Sequence, residues 1–387
     1  MKKCYQDKLS SLTGILLPSK AQTDIGAWIT TNTKIKGKPF RWTNHEYQKF
    51  VCDQESPVIS LKKCSQYGLS ELAIRRSLGF TQINQGTTCI YAFPTASFAM
   101  SFSKGRFSTL LRSDLVGRER LTIAGTDSAG VKEFTNGSQI FFIGASTSRQ
   151  VISVPADLVV LDECDFFEDQ EVPSKLNSRL THSDFKWKFN LSTPTLPGYG
   201  ISAEYDSSKQ YVEMQKCDKC NHYFQTDYFK HVKLPGFSGD ISEFNYQNRR
   251  ILDKISVKDA YICCPKCKRP VNTHISYRSW QCVNPDTRYE AIGIHITPFA
   301  GPNIISPTGL IKVACEYKSF ADFVNFGLGE SHEDATTGLS VSEVEACFAG
   351  NQDFTVPFSV MGLDLGGLSA SSIAKPNRQR GLDIVHT

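Results

Sequence analysis

The sequence contains no run of about 18 consecutive apolar residues, and this absence excludes a membrane-spanning helix. The N-terminus carries a pair of lysines but neither an adequate apolar core nor a small-residue cleavage site, so no secretory signal peptide is predicted. An excess of one charge is also absent, because the net charge is only +4 and by itself indicates no class of partner. These absences predict a chain without a membrane partner.

Cysteine, in contrast, is abundant, and two pairs stand out. The 13 cysteines are odd in number and scattered along a chain without an export signal, which favours a reducing compartment. Cys217 and Cys220 form one C-x-x-C motif, and Cys264 and Cys267 form a second. Together they predict a tetrahedral Zn²⁺ site, which would be structural because four thiolates leave no open position for catalysis. Cys263 competes with Cys264, but Cys264 gives the two-residue spacing.

Apolar segments of strand length alternate with helical patterns in the first half of the chain. The predicted strands are residues 57–61, 88–93, 138–145, 158–161 and 187–192. Continuous apolar strands separated by helices predict a parallel sheet that is covered on both faces. A chain of 387 residues is too long for one ordinary core, so two or three domains are expected.

The fourth predicted strand ends abruptly in acid, at Asp162 and Glu163. Charge at the tip of a buried strand is costly unless a Mg²⁺ ion and a polarised water lie above it. In an NTPase, one such acid holds the metal and its neighbour activates the attacking water. The alternative is a strand that ends at a solvated acidic turn. Asp165 is either a further polar contact or an N-cap.

A candidate phosphate loop follows the first predicted strand. Gly68 permits close backbone approach before a predicted helix, whose N-terminus attracts phosphate, and Ser70 is placed to contact Mg²⁺. The usual G-x-x-x-x-G-K-[ST] pattern is absent, because Leu69 stands where lysine is expected. Lys62 or Lys63, at the start of the loop, could cover the phosphates instead. The alternative is an ordinary strand–turn–helix with surface lysines.

Two further strand ends carry polar residues. Residues 192–195 read Ser-Thr-Pro-Thr, a hydroxyl-rich end suited to sensing a γ-phosphate, with a plain proline turn as the alternative. Asp364 ends an apolar strand at 358–363 and is followed by two glycines. Asp364 fits the first acid of an RNase H-like two-metal nuclease, the phosphate turn of actin-like ATPases, or a simple strand end.

Basic residues cluster in two segments, 104–120 and 249–278. Such clusters fit contact with a phosphate backbone, and solvated faces are the alternative. Arg106, Arg112 and Arg149 are each candidates for a catalytic arginine that neutralises transferred charge.

The ordered set of these motifs resembles the large subunit of lambda-like tailed-phage terminases. Residues 63–71 resemble that family's phosphate loop, residues 91–95 its next strand end, and residues 161–165 its acidic motif. Residues 192–198 resemble its coupling motif, residues 211–220 the entry to its zinc insertion, and residues 323–330 its F-x-N-x-x-L-G-E segment. The resemblance implies a P-loop NTPase-type α/β fold, a zinc-ribbon insertion and the start of an RNase H-like nuclease domain.

The resemblance also implies roles for single residues. Those expected to bind ATP and Mg²⁺ are Lys62 or Lys63, Gln66, Gly68, Leu69 and Ser70. Asp162 would support the metal, Glu163 would activate water, and Thr193 would couple hydrolysis to movement. Asp364 would be the first nuclease carboxylate. The implied cofactors are ATP, Mg²⁺ and Zn²⁺.

The domains expected from this resemblance are an arm at 1–45, irregular and polar, an ATPase domain at 46–212, a zinc ribbon at 213–285, an ATPase completion and linker at 286–355, and an incomplete nuclease domain at 356–387. The implied function is an ATP-driven motor that packages viral double-stranded DNA. The implied partners are DNA, the small terminase subunit, the portal protein and further copies in a ring, in the host cytoplasm.

One departure concerns the nuclease, because the chain ends soon after Asp364 and Asp383 comes too early for a second ligand. One carboxylate does not assemble a two-metal site, so a truncated chain with doubtful nuclease activity is expected. Two other functions compete: a zinc-stabilised DNA-binding or scaffold protein with an inactive nucleotide fold, and a helicase-like repair ATPase.

Overall fold

The computed structural model describes residues 24–113, 115, 123–144, 154–169, 171–333, 360–364, 370–376 and 382–386. The chain divides into two compact units, Met1–His332 and Glu333–Thr387. The boundary between them lies inside the segment that the sequence predicts as a linker.

The strands of the first unit are β1 Lys34–Ile35, β2 Lys38–Pro39, β3 Val58–Lys63, β4 Thr88–Phe93, β5 Ile123–Asp127, β6 Val131–Phe134, β7 Gln139–Gly144, β8 Leu158–Asp162, β9 Trp187–Ser192, β10 Lys209–Lys216, β11 Tyr223–Gln225, β12 Val232–Lys233, β13 Tyr261–Ile262, β14 Arg278–Cys282 and β15 Ile292–Ile296. The α-helices are α1 Ile25–Asn32, α2 Glu46–Cys52, α3 Leu69–Ile83, α4 Ala96–Phe102, α5 Ser108–Ser113, α6 Val172–Asn177, α7 Gly200–Asp206, α8 Tyr228–His231, α9 Pro307–Glu316 and α10 Phe320–Asp322. Two π-helical segments, Ser103–Phe107 and Phe323–Leu328, continue α4 and α10.

One large sheet organises this unit. It has 11 strands, and its main path runs β11-β10-β15-β3-β9-β8-β4-β7-β6-β5, with β14 paired to β10. All neighbours from β10 to β7 are parallel, and the antiparallel strands lie at the two ends. The predicted parallel-rich sheet is therefore confirmed. Because the strands are parallel, β3, β9 and β8 end side by side at one edge, which we call the carboxyl edge.

Both faces of the sheet are covered, as the continuous apolar strands predict. Side chains alternate between faces along each strand, so Leu158 and Val160 of β8 join a core with α3, while Val159 and Leu161 join a second core with α6. This double burial explains why the strands lack polar alternation.

The predicted irregular arm is wrong for residues 25–32, which form helix α1. Asp24 caps this helix by accepting a hydrogen bond from the Ala27 N–H at 2.9 Å. Trp28 and Ile29 are buried in the core beside α3. Arg75 of α3 holds the segment after α1, because its guanidinium donates to the Lys34 carbonyl at 2.6 Å and lies over the Phe40 ring. An N-cap and the burial of apolar side chains therefore stabilise a helix in this segment.

The cysteine-rich segment is connected to the large sheet directly through strand β10. Strand β10 crosses the predicted boundary at 212/213 and ends just before Cys217. The segment adds its own small core, where Tyr228, Val232 and Phe244 pack against Leu310 and Ile311 of α9.

The second unit contains three described strands, β16 Val360–Asp364, β17 Ala370–Pro376 and β18 Leu382–His386. They form an antiparallel sheet in the order β16-β17-β18. Across the described residues of the whole chain, none of the helices combines the length and the apolarity needed to cross a bilayer.

Candidate functional site

The loop between β3 and α3 has the backbone expected of an anion-binding turn. Gln66 and Gly68 adopt left-handed conformations, with φ of 62° and 66°. The N–H groups of residues 66–70 make no hydrogen bond to any residue that the structure describes, and Leu72 is the first to bond back, to the Gly68 carbonyl. Gln66 is exposed, whereas Leu69 is buried in the core. Unpaired N–H groups at a helix N-terminus favour a negatively charged ligand.

The carboxyl edge brings four of the predicted residues together. The Lys63 Nζ lies 2.7 Å from Glu163 Oε1, although the two residues are 100 positions apart. The Ser70 hydroxyl donates to Asp162 Oδ1 at 3.2 Å. Lysine, hydroxyl and two carboxylates therefore meet directly above the loop.

The two candidate lysines separate, because successive side chains of a strand face opposite sides. Lys63 faces the acids, whereas the Lys62 Nζ lies 2.9 Å from Glu330 Oε2 on the other face. Lys62 thus belongs to a different polar cluster, with His295 near Glu330, and does not join the group at the loop.

Asp162 is fully buried at the end of β8. Its second oxygen accepts a hydrogen bond from the Tyr91 hydroxyl at 2.8 Å. Burial, and then the adjacent Glu163 carboxylate, raise the pKa of Asp162 to about 6, against the opposing effect of Lys63. Tyr91 was not predicted as a site residue, although it opens the segment 91–95 that carries part of the family resemblance. Its contact with Asp162 follows from the pairing of β4 with β8, which the sequence does not show.

Glu163 has a strained backbone, with a φ of 55° in the left-handed region. Its N–H donates to the Leu191 carbonyl of β9 at 2.8 Å. Its Oε2 accepts from the Thr193 N–H at 3.3 Å. The Thr193 hydroxyl is buried without a partner among the described residues. The acidic strand end and the Ser-Thr-Pro-Thr loop are thus joined through Glu163.

Asp165 accepts hydrogen bonds from the Ser-Thr-Pro-Thr loop and from α7, so its role goes beyond that of an N-cap. One of its oxygens accepts from the N–H and the hydroxyl of Thr195, at 3.0 and 3.1 Å. The other accepts from the Ile201 N–H at 2.7 Å, in the first turn of α7. Gly200 must be glycine, since its φ is 50° and a Cβ would lie 2.4 Å from this carboxylate. Burial raises the pKa of Asp165 to about 6, although these hydrogen bonds oppose the shift.

The four predicted cysteines converge. The sulfur atoms of Cys217, Cys220, Cys264 and Cys267 all lie within 4.8 Å of one another. Cys263 lies outside this group, and its thiol instead donates to the Cys264 carbonyl. The spacing rule that favoured Cys264 therefore selected the residue that joins the cluster.

The two motifs form nearly identical turns. In each, the residue after the second cysteine is left-handed, Asn221 at 57° and Lys268 at 58°, and its N–H donates to the carbonyl of the first cysteine. Hydrogen bonds from the backbone and then the side chain of Arg269 lower the pKa of Cys267 to about 6. Four cysteine sulfur atoms in a tetrahedral-sized group are the donors that Zn²⁺ prefers.

Four further predicted residues lie away from the carboxyl edge in sequence. Asp364 ends β16, where its backbone pairs with Ala370. Arg106 and Arg112 are exposed on the segment of α4 and α5. Arg149 lies outside the described residues.

A parallel-rich α/β sheet with a lysine, a hydroxyl and two acids at its carboxyl edge defines a mixed α/β protein with a candidate nucleotide site. Residues 37–279 match the family model described as phage terminase large subunit gpA, ATPase domain. The chain therefore belongs to this family, and the predicted resemblance is confirmed. A search of curated proteins found no match.

Solved structures of large terminases match this chain at low identity. The large terminase of bacteriophage HK97 is 12% identical with a TM-score of 0.50, and the match covers 94% of this chain and 66% of that one. A large terminase from a thermophilic bacteriophage is 11% identical with a TM-score of 0.43, over 93% and 65%. The ATPase domain of the Thermus phage P74-26 large terminase is 16% identical with a TM-score of 0.33, over 45% and 75%. This chain thus spans about two thirds of the first two of these proteins.

Proposed function

We propose that this chain is the ATP-hydrolysing subunit of a viral DNA-packaging motor, which translocates double-stranded DNA into a procapsid. The observation that carries the proposal is the meeting of Lys63, Ser70, Asp162 and Glu163 at the carboxyl edge. Membership of a terminase ATPase-domain family supports the same reaction.

The residues present fit Mg²⁺ and a nucleotide. Asp162 and Ser70 offer a carboxylate and a hydroxyl oxygen 3.2 Å apart, which are the hard donors that Mg²⁺ prefers. The unpaired N–H groups of residues 66–70 offer donors to phosphate oxygens. When bound, the metal would neutralise charge on the phosphates. We assign nucleotide contact to Gln66, Gly68, Leu69 and Ser70 through their backbone, and not to Lys62.

Lys63 and Glu163 neutralise each other across 2.7 Å. A terminal phosphate within reach of Lys63 competes for its ammonium group, and this competition frees the Glu163 carboxylate to accept a proton from water. The Thr193 N–H donates to Glu163, so a movement of the Glu163 carboxylate displaces Thr193 and the Ser-Thr-Pro-Thr loop, which Asp165 anchors. Hydrolysis and loop position are thereby coupled.

We propose Zn²⁺ as a structural ion of the Cys217, Cys220, Cys264 and Cys267 cluster. The tetrahedral-sized group of sulfur atoms and the matching turns support this assignment. The ion would hold the zinc-ribbon insertion on the end of β10.

Double-stranded DNA is the proposed substrate of translocation, and the insertion offers it a basic surface. A cleft of about 610 Å³ is lined by Arg249, Arg250, Lys258 and Lys312, with Asp253 and Glu316 as its acids. Across the described residues, none of these four basic side chains forms an ion pair. The small terminase subunit, the portal protein and a homo-oligomeric ring in the host cytoplasm complete the proposed assembly.

We further propose that residues 356–387 belong to an RNase H-like nuclease domain in which Asp364 is a metal-binding carboxylate. The antiparallel order β16-β17-β18 and the position of Asp364 at the end of the first strand support this reading.

The experiment compares Glu163→Gln with the unmodified chain and with Glu168→Gln, an exposed acid of the same segment, as the control. Loss of a general base is expected to lower DNA-stimulated ATP hydrolysis by at least about a hundredfold while nucleotide binding persists. Glu168→Gln should retain full activity. An unmodified chain that binds DNA but hydrolyses no ATP would refute the motor and favour a zinc-stabilised DNA-binding protein.

A further inference from the structure

The turn that follows strand β15 contacts both the phosphate loop and the cysteine-rich segment. It is a single 3₁₀ turn, Pro298–Ala300, and it leaves the sheet beside the phosphate loop because β15 is parallel to β3. The Pro298 carbonyl accepts a hydrogen bond at 2.7 Å from the hydroxyl of Tyr67, a residue of the loop. The next side chain, Phe299, packs against the small core around the cysteine cluster. Two consecutive residues of one turn therefore connect the two candidate sites.

Arg278, at the start of β14, holds the same turn from the side of the cysteine-rich segment. Its guanidinium donates to the Ala300 carbonyl at 2.8 Å and to the Phe299 carbonyl at 3.4 Å. The guanidinium also lies 3.2 Å from a carboxylate oxygen of Glu213 on β10, and its side chain is only 4% exposed. Strand β10 pairs with β14 and then runs into Cys217, so the strands that orient Arg278 also lead to the cluster.

The chain after the turn also fits closely against the phosphate loop. The Tyr67 side chain is buried, and a Cβ at Gly301 would lie 2.9 Å from its ring. Tyr67 stands between Gln66 and Gly68, whose left-handed conformations bend the loop. A displacement of the turn would therefore move the residue at the centre of this bend.

We propose that Phe299 is a positioning residue through which a metal ion in the cysteine cluster strengthens polyphosphate binding at the phosphate loop. The inference rests on the proposed function for the identity of the two ligands, Zn²⁺ and a nucleoside di- or triphosphate. Phe299 touches neither ligand, because it contacts the core around the cluster and reaches the loop through the turn. Since coupling between two binding sites is reciprocal, a polyphosphate strengthens metal binding by the same factor.

The sign of the coupling follows from the order that a metal imposes. An ion would join Cys220 to Cys264, which are 44 positions apart, and so fix the core on which Phe299 packs. A turn fixed at this end holds Tyr67 in place, and a loop that is ordered in advance loses less conformational entropy when its ligand binds. The residues of the carboxyl edge are held by each other and by the parallel strands, so affinity should change more than turnover at saturation.

The test is a thermodynamic cycle on the full chain. Calorimetry compares the Mg-ADP dissociation constants of Cys264→Ser, which lacks one thiol of the cluster, and Cys263→Ser, which keeps all four. The same pair is then made with Phe299→Ala and, as the matched control, with Phe237→Ala, another partly buried phenylalanine that packs against the adjacent core. Inorganic pyrophosphate in excess Mg²⁺ replaces Mg-ADP in a second series. Thermal midpoints and kcat at saturating ATP are measured for every variant.

We expect Mg-ADP to bind about fivefold more weakly to Cys264→Ser than to Cys263→Ser, and this difference to fall below about twofold when Phe299→Ala is added. Phe237→Ala should leave the difference between the cysteine variants intact. The value of kcat at saturation should change by less than about twofold throughout.

A merely structural role of Phe299 would lower the thermal midpoint and leave the difference between the cysteine variants unchanged, and this result would overturn the inference. Equal Mg-ADP affinity of the two cysteine variants would also overturn it, even if Phe299→Ala does not fold. A pyrophosphate affinity that depends on the metal, in a chain that hydrolyses no ATP, would uphold the inference and refute only the proposed function.

Discussion

The carboxyl edge and the cysteine cluster assemble their side chains in opposite ways. At the edge, Lys63 and Glu163 are 100 positions apart, and the order of parallel strands brings them together. In the cluster, two four-residue motifs fold into the same turn, and local backbone geometry sets the arrangement within each motif, although Cys220 and Cys264 are 44 positions apart. The large core of the sheet therefore holds the residues of the carboxyl edge in place. The fold of the cysteine cluster depends instead on the ligand that its thiols bind.

This difference predicts what a substitution changes in each region. A substitution at the edge should change chemistry while the sheet stays folded, since β3, β8 and β9 are buried on both faces. A substitution in the cluster should change folding of the insertion while the edge keeps its geometry.

The largest expected effect is at the edge, where Lys63→Met is compared with Lys62→Met. Loss of Lys63 should lower kcat/KM for ATP about a hundredfold or more, because it removes the cation that faces the acids. Lys62→Met should cost less than about threefold, because its partner is Glu330 on the opposite face. Steady-state ATP hydrolysis and circular dichroism check both variants. A larger loss for Lys62 would reverse the assignment.

The second effect tests the cluster, with Cys264→Ser compared with Cys263→Ser. Cys264→Ser should abolish binding of about one Zn²⁺ per chain and lower the thermal midpoint by roughly 5–10 °C, since metal binding stabilises the folded insertion. Cys263→Ser should retain the metal, because its thiol lies outside the cluster. Elemental analysis and thermal unfolding provide the measurements. Equal zinc content in the two variants would contradict the four-thiolate assignment.

A smaller effect is expected from Asp165→Asn, which tests whether the two strand ends at the edge act together. In asparagine only one of the two side-chain oxygens remains, so it accepts either from Thr195 or from the Ile201 N–H but not from both. ATP turnover should therefore fall about tenfold while nucleotide affinity stays within about threefold. Asp218→Asn, beside the cysteine cluster, is the control and should leave turnover unchanged. A loss confined to affinity would place Asp165 in binding instead of coupling.

The smallest effect separates DNA contact from hydrolysis. Arg249→Ala and Arg250→Ala should each reduce the salt dependence of DNA binding by about one ion and weaken affinity a few-fold, leaving basal ATP hydrolysis unchanged. Fluorescence anisotropy over a salt series measures the slope. An unaltered slope in the double variant would remove the basic cleft from the DNA path.

Sequence reasoning succeeded where the pattern is local or strongly periodic. The C-x-x-C spacing selected Cys264 over Cys263, and continuous apolar runs located β3, β4, β7, β8 and β9 within about two residues. It could not choose between Lys62 and Lys63, because that choice depends on which face of β3 each side chain occupies. It also missed α1, whose formation depends on burial of Trp28 against the rest of the core.

Strand β10 has one more consequence for the insertion. It pairs with β15 through Lys209–Tyr211 and with β14 through Tyr211–Gln215, and then runs directly into Cys217. Since β15 is the neighbour of β3, ladder hydrogen bonds connect the strand that leads to the cysteine cluster with β3. Deleting a single residue from β10 would turn every following side chain to the other face of the sheet. The orientation of the cysteine-rich segment therefore depends on the number of residues in this one strand.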